Sequence, residues 1–446
     1  MKLPLPISTT ERRIPNAVSR LVNMQAEQNA PDAKMPYRVY RAPGVRAWKT
    51  CGTGPGRGLH VFAGGLWAVS GDDLYRVGEA SAGTIPGSGP VRMADDGVRL
   101  VIVTDPRAYV YTASAVTEIT DGDYEGATDV AFVDGYFVFT SPASGRWFCS
   151  NLYSTEFDPL KFAYSEVNPD FNSGQILSDH RQVIIPGTAS VQIWYNSGAG
   201  NFPFETVPDG VIELGCRGGM VKIDNSVIWA ADDGTIRRLT GRTPLRVSNH
   251  GVEEAIATYS GTPQAFAYTL EGHMVYCVSW NEATWCFDVT TGTWFQRTSF
   301  DGQPWRVCSV AMLNGVVYAQ DRTTGAVGIL DPECYAEWGD RIVAEWTYPA
   351  ICDGRRMIRH ARLEVLAEAG VGLANGQGSA PQVMLHWSDD GAKEFKAFSA
   401  RSLGAIGAYK DRVIWHRLGA SRDRVYRCSV SDPVPVNVFD TVLDVG

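Results

Sequence analysis

Acidic side chains are numerous enough in this sequence to suggest sugar chemistry, because two facing carboxyl groups suffice to hydrolyse a glycosidic bond. Adjacent acids recur at Asp72-Asp73, Asp95-Asp96 and Asp232-Asp233. Each pair lies in a predicted turn, where an Asp side chain bonds to the nearby backbone. Ser388-Asp389-Asp390-Gly391 approaches the Asp-box of sialidases, but its Gly comes one position early and the motif occurs once. We therefore predict that the chain is not an enzyme.

Other catalytic and cofactor motifs are missing from the sequence. There is no Gly-x-Ser-x-Gly elbow, and the Gly-rich stretch 52–58 lacks the Gly-Lys-Ser/Thr ending that holds phosphates. The acids at 121–125 carry hard oxygens but lack the twelve-residue loop of a calcium site. The seven histidines never pair at i, i+4. We predict no catalytic residue, no cofactor and no metal site.

Basic residues interleaved with aromatic ones form the strongest candidate for a binding site. They lie in two stretches near the C-terminus and comprise Arg355, Arg356, Arg359, Arg362, Lys410, Arg412, Arg417, Arg422 and Arg424. A solvated strand face explains such a pattern, as does an interface with an acidic partner subunit or a contact with DNA phosphates. We predict that these residues are a candidate assembly interface.

Charge is unevenly distributed along the chain. The formal net charge is −9; 14 Lys and Arg stand against 12 Asp and Glu from residue 341 onward, and 26 against 37 before it. An acidic chain disfavours a folded nucleic-acid binder, which needs clustered cations to bind phosphates. Two interpretations of the uneven charge stay open: the solvated faces of the two parts simply differ, or the basic C-terminal part docks on an acidic partner.

The cysteines and apolar segments indicate where the chain folds. Nine cysteines are scattered singly with no Cys-x-x-Cys pair, which predicts buried thiols formed in a reducing cytoplasm. No stretch reaches the roughly 18 apolar residues of a membrane span, so we expect no membrane anchor. Pro4 and Pro6 interrupt the place where a signal peptide would have its apolar helix.

Short apolar strands separated by Gly or Asp turns dominate the sequence, and helical periodicity is almost absent. Seven such units recur about 35 to 50 residues apart, the period of propeller blades. They lie at 60–77, 94–111, 130–139, 178–195, 222–229, 270–276 and 312–318. We predict an all-β fold with a six- or seven-bladed β-propeller; the alternative is a long double-sheet sandwich array.

The ends of the chain follow other patterns. Residues 1–50 hold six prolines and few alternating runs, which predicts an extended N-terminal arm. We assign residues 51–340 to the propeller. From residue 341 the strands are longer, which predicts a C-terminal β-sandwich over 341–446.

Several segments of the first 300 residues resemble one known family. They include Arg20-Leu21-Val22-Asn23-Met24-Gln25-Ala26-Glu27, Gly65-Leu66-Trp67-Ala68-Val69-Ser70-Gly71, Glu166-Val167-Asn168-Pro169-Asp170 and Val191-Gln192-Ile193-Trp194-Tyr195-Asn196-Ser197-Gly198. In this order, over roughly residues 14 to 300, they are similar to the packaged-DNA stabilisation proteins of short-tailed bacteriophages. The C-terminal part matches less distinctly.

The resemblance implies a structural virion protein, made in the host cytoplasm and built into the tail. It implies a tail hub that attaches below the portal and adaptor proteins as a homo-oligomeric ring, a hexamer, and retains the packaged DNA until ejection. Implied partners are the tail needle, fibre or spike proteins, with DNA in the channel bound without sequence specificity. The alternative function is a glycan-binding or glycan-cleaving phage propeller.

Overall fold

The computed structural model describes residues 1–10, 18–142, 144–165, 170–354 and 356–446. Almost all of its regular structure is β-strand. Arg355 and residues 166–169 of the family-like segment, both singled out in the sequence, lie outside the described residues.

Five short strands precede the first blade and are shared between the two modules of the molecule. They are β1 (Lys2–Leu3), β2 (Arg20–Val22), β3 (Met24–Gln28), β4 (Tyr37–Arg41) and β5 (Gly44–Thr50).

Six blades of a propeller follow, each built from four consecutive antiparallel strands. Blades one to five are separate four-stranded sheets, and the strands of blade six belong to a larger sheet that continues beyond the blade. Blade one contains β6 (Gly56–Phe62), β7 (Gly65–Ser70), β8 (Asp73–Arg76) and β9 (Ser81–Thr84). Blade two contains β10 (Arg92–Asp95), β11 (Arg99–Thr104), β12 (Arg107–Thr112) and β13 (Ala115–Glu118). Blade three contains β14 (Asp129–Val133), β15 (Tyr136–Thr140), β16 (Arg146–Ser150) and β17 (Phe157–Tyr164).

The chain then continues through blades four to six. Blade four contains β18 (Leu177–Asp179), β19 (Gln182–Pro186), β20 (Val191–Asn196) and β21 (Phe204–Ile212). Blade five contains β22 (Cys216–Ile223), β23 (Ser226–Ala231), β24 (Ile236–Thr240) and β25 (Thr243–Arg246). After the helix α1 (His250–Ile256), blade six contains β26 (Gln264–Leu270), β27 (His273–Ser279), β28 (Thr284–Asp288) and β29 (Thr293–Arg297). A single 3-10 turn, Phe300–Gly302, follows blade six.

A seventh sheet closes the ring by using a strand from the start of the chain. It consists of β30 (Val307–Leu313), β31 (Val316–Asp321) and β32 (Ala326–Asp331), and its outer strand is β5, which pairs antiparallel with β32. The innermost strands β30 and β6 are neighbours, so the last sheet meets the first. The prediction of a six- or seven-bladed propeller is confirmed.

The first hairpin of most blades is a two-residue turn with positive φ at both positions. Asp134-Gly135, Glu271-Gly272 and Asn314-Gly315 are examples. Turns of this type match the right-handed twist of the paired strands and favour Asn, Asp and Gly. They produce the recurring turn signal from which the blades are predicted.

Neighbouring blades pack through separate apolar clusters. Between blades three and four, for instance, the fully buried Trp147 lies with its ring centroid 5.1 Å from that of Trp194. Truncating a buried aromatic side chain of this kind costs about 3–5 kcal/mol of stability. Aromatic packing between blades is therefore a large part of what keeps the ring closed.

The C-terminal module is a β-sandwich of two sheets. It follows two short strands that belong to the propeller, β33 (Ala336–Glu337) and β34 (Asp340–Arg341). The strands of the module are β35 (Ala344–Thr347), β36 (Ile351–Cys352), β37 (Ile358–Ala367), β38 (Gln382–Ser388), β39 (Lys396–Ala397), β40 (Arg401–Ser402), β41 (Val413–His416), β42 (Ala420–Ser421), β43 (Asp423–Val430) and β44 (Asn437–Val445). One sheet has the order β3-β4-β44-β37-β41; the other contains β35-β43-β38-β39. The strands β33 and β34 continue the seventh blade beyond β5.

The propeller and the sandwich share a sheet and a core. The strand β2 pairs in parallel with β29 of blade six and antiparallel with β35 of the sandwich. One apolar cluster contains Trp305 near blade seven together with Trp346 and Trp415 of the sandwich. The first 50 residues therefore run along both modules, and the boundaries predicted at 50/51 and 340/341 stay predictions.

Candidate assembly surface

The predicted basic residues lie on the sandwich strands β37 and β43 and on the loops around β41 and β42. They fall into three groups that differ in burial and in partners. Arg424 is interior, Arg362 and Arg412 are held in ion pairs, and the remaining described residues point their charges outward.

Arg424 is buried inside the sandwich and holds it together. Its side chain is only 3 % exposed. Its Nε and Nη2 atoms donate to the two carboxylate oxygens of Asp389 at 2.6 and 2.7 Å, and the guanidinium lies 4.5 Å from the ring centroid of Trp387. Buried Arg-carboxylate pairs of this geometry tie strands together. The sequence pattern alone does not separate Arg424 from the exposed arginines.

His360 lies beside this pair and is buried as well. Its Nε2 is 2.9 Å from Oγ of Ser421. Burial, assisted by the charge of Arg424, lowers the pKa of His360 to about 4. The imidazole is therefore neutral at physiological pH and serves packing.

Arg362 and Arg412 form an ion-pair ladder on the outer face of the β37 sheet. Arg412 donates to both oxygens of Glu364 at 2.8 and 2.9 Å, and Nε of Arg362 lies 2.8 Å from Oδ2 of Asp444. Their charges are largely compensated within the sheet. An incoming acidic partner would have to compete with Glu364 and Asp444.

The remaining cations gather at one end of the sandwich, with one exception. Arg359 is the Cα partner of Ala420 in β42, and the amide of Arg417 donates to the carbonyl of Ala361 at 2.9 Å. Arg422 follows β42 directly and Arg356 precedes β37 by two residues. We call Arg356, Arg359, Arg417 and Arg422, together with the exposed Met357, the basic end.

The basic end is available for binding. All four of its arginines are exposed, and none of them forms an ion pair with a described residue. Asp353 and Asp423 are the acids nearest to it in sequence. Lys410 is exposed too but precedes β41 at the opposite end of β37, about 20 Å away at 3.3 Å per residue. The structure thus divides the predicted interface residues, and their role in assembly stays a prediction.

A depression of about 900 Å³ lies at the mouth of the propeller channel. It is lined by the loop 86–90, by Arg92 and Arg107, and by residues 172–175 and 262–264. Asp105 is the only acid of this lining, and no aromatic side chain belongs to it. Among the described residues this mouth lacks the facing carboxyl pair and aromatic platform expected of a glycan site.

One buried carboxyl group in the channel was not singled out by the sequence. Burial raises the pKa of Asp129 to about 6, opposed by the positive charge of Arg92. Its two oxygens accept hydrogen bonds from the amides of Val130 at 2.8 Å and Ile176 at 3.1 Å. Oδ2 thus fastens β14 to the segment before β18, while Oδ1 bonds to the next residue of β14 itself. An acid at the start of a strand gives no signal in the sequence for such a role.

The other motifs considered for chemistry also have structural partners. Ser388 and Asp390 bond to each other, and Asp390 accepts from the amide of Lys393 at 3.0 Å, which makes the Asp-box-like segment a local turn. The Sγ atoms of Cys277 and Cys286 lie 3.2 Å apart on neighbouring strands as thiols. No group of three metal-ligating side chains occurs within the described residues. In the same part of the chain no helix is long and apolar enough to cross a membrane.

Comparison with protein families finds two matches that together cover most of the chain. A model described as bacteriophage P22 Gp10, β-propeller, matches residues 7–335, and a model described as bacteriophage P22 Gp10, β-sandwich, matches residues 346–446. The resemblance inferred from the sequence is thereby confirmed. No curated protein matches the chain.

The solved structures that match the chain are distant in sequence. The computationally designed Ika8 protein is 14 % identical with a TM-score of 0.41, over 70 % of this chain and 99 % of that one. The extracellular domain of BT4673 from B. thetaiotaomicron is 10 % identical with a TM-score of 0.44, covering 86 % and 58 %. The Cps50 (Swd1) β-propeller domain of Myceliophteria thermophila is 9 % identical with a TM-score of 0.41, covering 64 % and 98 %.

Proposed function

Because the chain belongs to the bacteriophage P22 Gp10 family, we propose that this phage structural protein is the hub subunit of a short-tailed phage tail. In this role a ring of six copies attaches below the portal and adaptor proteins once the DNA is packaged, and carries the needle, fibres or spikes. The ring retains the genome by plugging the channel and acts by assembly, without catalysis. Family membership over both modules is the observation that carries the proposal.

The union of the two modules supports a load-bearing role. The propeller and sandwich share the strand β2 and one apolar core, so a force applied to either module passes through backbone hydrogen bonds and packed side chains to the other. A closed ring of blades also turns the unpaired edges of the inner strands toward the channel, which shields them from uncontrolled pairing with other chains. Both properties suit a subunit that holds back packaged DNA.

Charge distribution supports a division of tasks between the modules. The acidic part before residue 341 repels DNA phosphates, which keeps the DNA path free of sequence-specific binding. The basic end offers four uncompensated arginines for an acidic protein partner within the tail. Its docking then orients the subunit in the ring.

Electron microscopy tests the proposal directly. The purified chain is imaged alone and mixed with the portal and adaptor proteins of the same virus. We expect a closed ring that caps the portal-adaptor complex on the side away from the head. A monomer that ignores this complex but binds sugars saturably contradicts the proposal and favours the glycan-binding propeller.

A charge-reversal variant with a matched control sharpens this experiment. Arg359→Glu, Arg417→Glu and Arg422→Glu together reverse three exposed cations of the basic end. Lys49→Glu, Arg217→Glu and Arg242→Glu reverse three exposed cations of the propeller that likewise form no ion pair with a described residue. We expect at least a tenfold loss of capped complexes for the first triple variant and little change for the second. If the two triple variants cap the portal-adaptor complex equally well, the basic end does not take part in assembly.

A further inference from the structure

Blade three carries an unusual number of exposed apolar side chains along its outer edge. Leu152, Tyr153, Leu160, Tyr164 and Phe171 are each at least 45 % exposed, and Leu160 reaches 67 %. Leu160 and Tyr164 lie in β17, the outermost strand of the blade, which pairs with β16. Leu152 and Tyr153 lie in the turn before β17, next to Gly135, and Phe171 follows β17, where its carbonyl accepts from the amide of Thr188 in blade four. We call these five residues the apolar stripe. At 3.3 Å per residue β17 extends over about 25 Å, so the stripe runs from one face of the propeller to the other.

An apolar surface of this kind is costly to leave in water. Contiguous exposed apolar patches of several hundred Å² on soluble proteins mark interaction sites. The long edge strand beneath the stripe adds a row of unpaired backbone groups. Both features indicate that the outer edge of blade three is covered in the assembled state.

The surroundings of the apolar stripe are acidic. The carboxylate of Asp121 accepts a hydrogen bond at 2.9 Å from the amide of Phe157, the first residue of β17. Asp121, Glu156 and Asp158 form no ion pair with a described residue. Glu156 is exposed directly before β17 and Asp158 is half-buried within it. The stripe therefore fits a partner that combines apolar side chains with positive charge.

The basic end of the sandwich has this complementary chemistry. Met357 is 62 % exposed and is flanked by Arg356, Arg359, Arg417 and Arg422. The sandwich shares its core with blades six and seven, which lie across the ring of blades from blade three. One subunit thus presents an acidic apolar surface on one side and a basic apolar surface on the other.

From this arrangement, and resting on the proposed ring, we infer that the apolar stripe of one subunit docks on the basic end of the next. Contacts between two different surfaces of identical subunits repeat head to tail, and they close into a ring when the rotation between neighbours allows it. The partner of blade three is accordingly a second copy of this chain.

Photocrosslinking identifies what covers the stripe. Tyr153 is replaced by p-benzoylphenylalanine in the full chain, which is irradiated alone and on the portal-adaptor complex. The matched control carries the probe at Leu245, which is 49 % exposed on the outer strand of blade five. We expect subunit-subunit crosslinks from position 153 to peptides within 356–362 or 417–422, and none from position 245. Crosslinks to another phage protein, or no crosslinks in either condition, overturn the inference.

Charge swapping provides an independent test, because misfolding caused by a substitution would not be reversed when opposite charges are restored. Glu156→Lys with Asp158→Lys, and Arg417→Glu with Arg422→Glu, should each reduce ring formation at least tenfold. All four changes in one chain restore opposite charges across the contact, so we expect at least half of the wild-type ring yield. A quadruple variant no better than the double variants contradicts the inference.

The outcomes separate this inference from the proposed function. If wild-type rings form with the expected crosslinks but do not cap the portal-adaptor complex, the contact between subunits is supported and the proposed hub function is contradicted. Capping that proceeds unchanged in the Glu156 and Asp158 variant leaves the hub standing and rejects the inference.

Discussion

Replacing Arg424 by Met should destabilise the sandwich without touching the assembly surface. The change removes two charge-assisted hydrogen bonds to Asp389 and the stacking on Trp387, and it leaves the Asp389 carboxylate without its cation. Breaking a buried ion pair costs about 3–5 kcal/mol. The side chain of Asp389 is 35 % exposed, so water relieves part of its lost partnership. We therefore expect a loss of about 3 kcal/mol in the free energy of unfolding.

Urea denaturation followed by tryptophan fluorescence measures this loss. Trp387 lies in contact with the altered side chain and reports the transition of the sandwich. Arg417→Met is the matched control, because Arg417 is exposed and has no ion-pair partner among the described residues. Surface changes of this kind usually alter stability by no more than about 0.5 kcal/mol.

A double-mutant cycle isolates the ion pair from the loss of packing. Asp389→Asn is combined with Arg424→Met, and the coupling free energy is the difference between the double variant and the sum of the singles. We expect a coupling of about 1.5–3 kcal/mol, the range of hydrogen bonds to charged groups. A coupling below about 0.5 kcal/mol, or equal losses for Arg424→Met and Arg417→Met, would refute the assignment of Arg424 to the interior.

Three further changes test other parts of the fold. Trp147→Ala should lower the free energy of unfolding by about 3–5 kcal/mol in calorimetry, because it empties the contact between blades three and four. Glu271→Asn should raise it by up to about 1 kcal/mol, since position 271 has φ 49° and Asn tolerates this conformation better. The pKa of His360, about 4 in the fold, lies below its unfolded value, so its stabilising contribution is complete above pH 6.5 and is lost as pH falls toward 4. Between pH 6.5 and pH 4 the free energy of unfolding should fall by an amount on the order of 3 kcal/mol. Denaturation of the wild type and of His360→Gln at both pH values should show a smaller fall in the variant.

Local patterns predicted the blades well, because a blade is built from neighbouring strands. Alternating apolar residues and two-residue turns such as Asn314-Gly315 lie within ten residues of the strands that they join. The exception is the seventh sheet, whose outer strand β5 comes from the other end of the propeller sequence. No local signal pairs residue 45 with residue 330, so the first 50 residues read as an arm.

Burial of charged side chains was harder to predict for the same reason. Arg417 and Arg424 look alike in the sequence, since each directly precedes an apolar residue in a strand-rich region. What distinguishes them is Asp389 and Trp387, which come from β38 and its following turn and meet Arg424 across the sheet. Whether a charged side chain is buried or exposed depends on partners that are distant in the sequence, and hydrophobic periodicity carries no information about them.

Asn23 shows how a single residue joins the two modules that these patterns describe separately. It follows β2 with φ 52°, a conformation that Asn adopts more readily than other side chains. Its Nδ2 donates to Oγ1 of Thr298 and to the carbonyl of Val343, both at 2.9 Å, and its Oδ1 accepts from the amide of Thr298 at 3.1 Å. Thr298 follows blade six and Val343 precedes β35, so one amide group satisfies backbone groups on both sides of the junction. A shorter or apolar side chain would leave buried polar groups unpaired there, at about 1–3 kcal/mol each. Asn23 thus reinforces the junction between the propeller and the sandwich directly after β2, a strand that no local pattern in the sequence predicts.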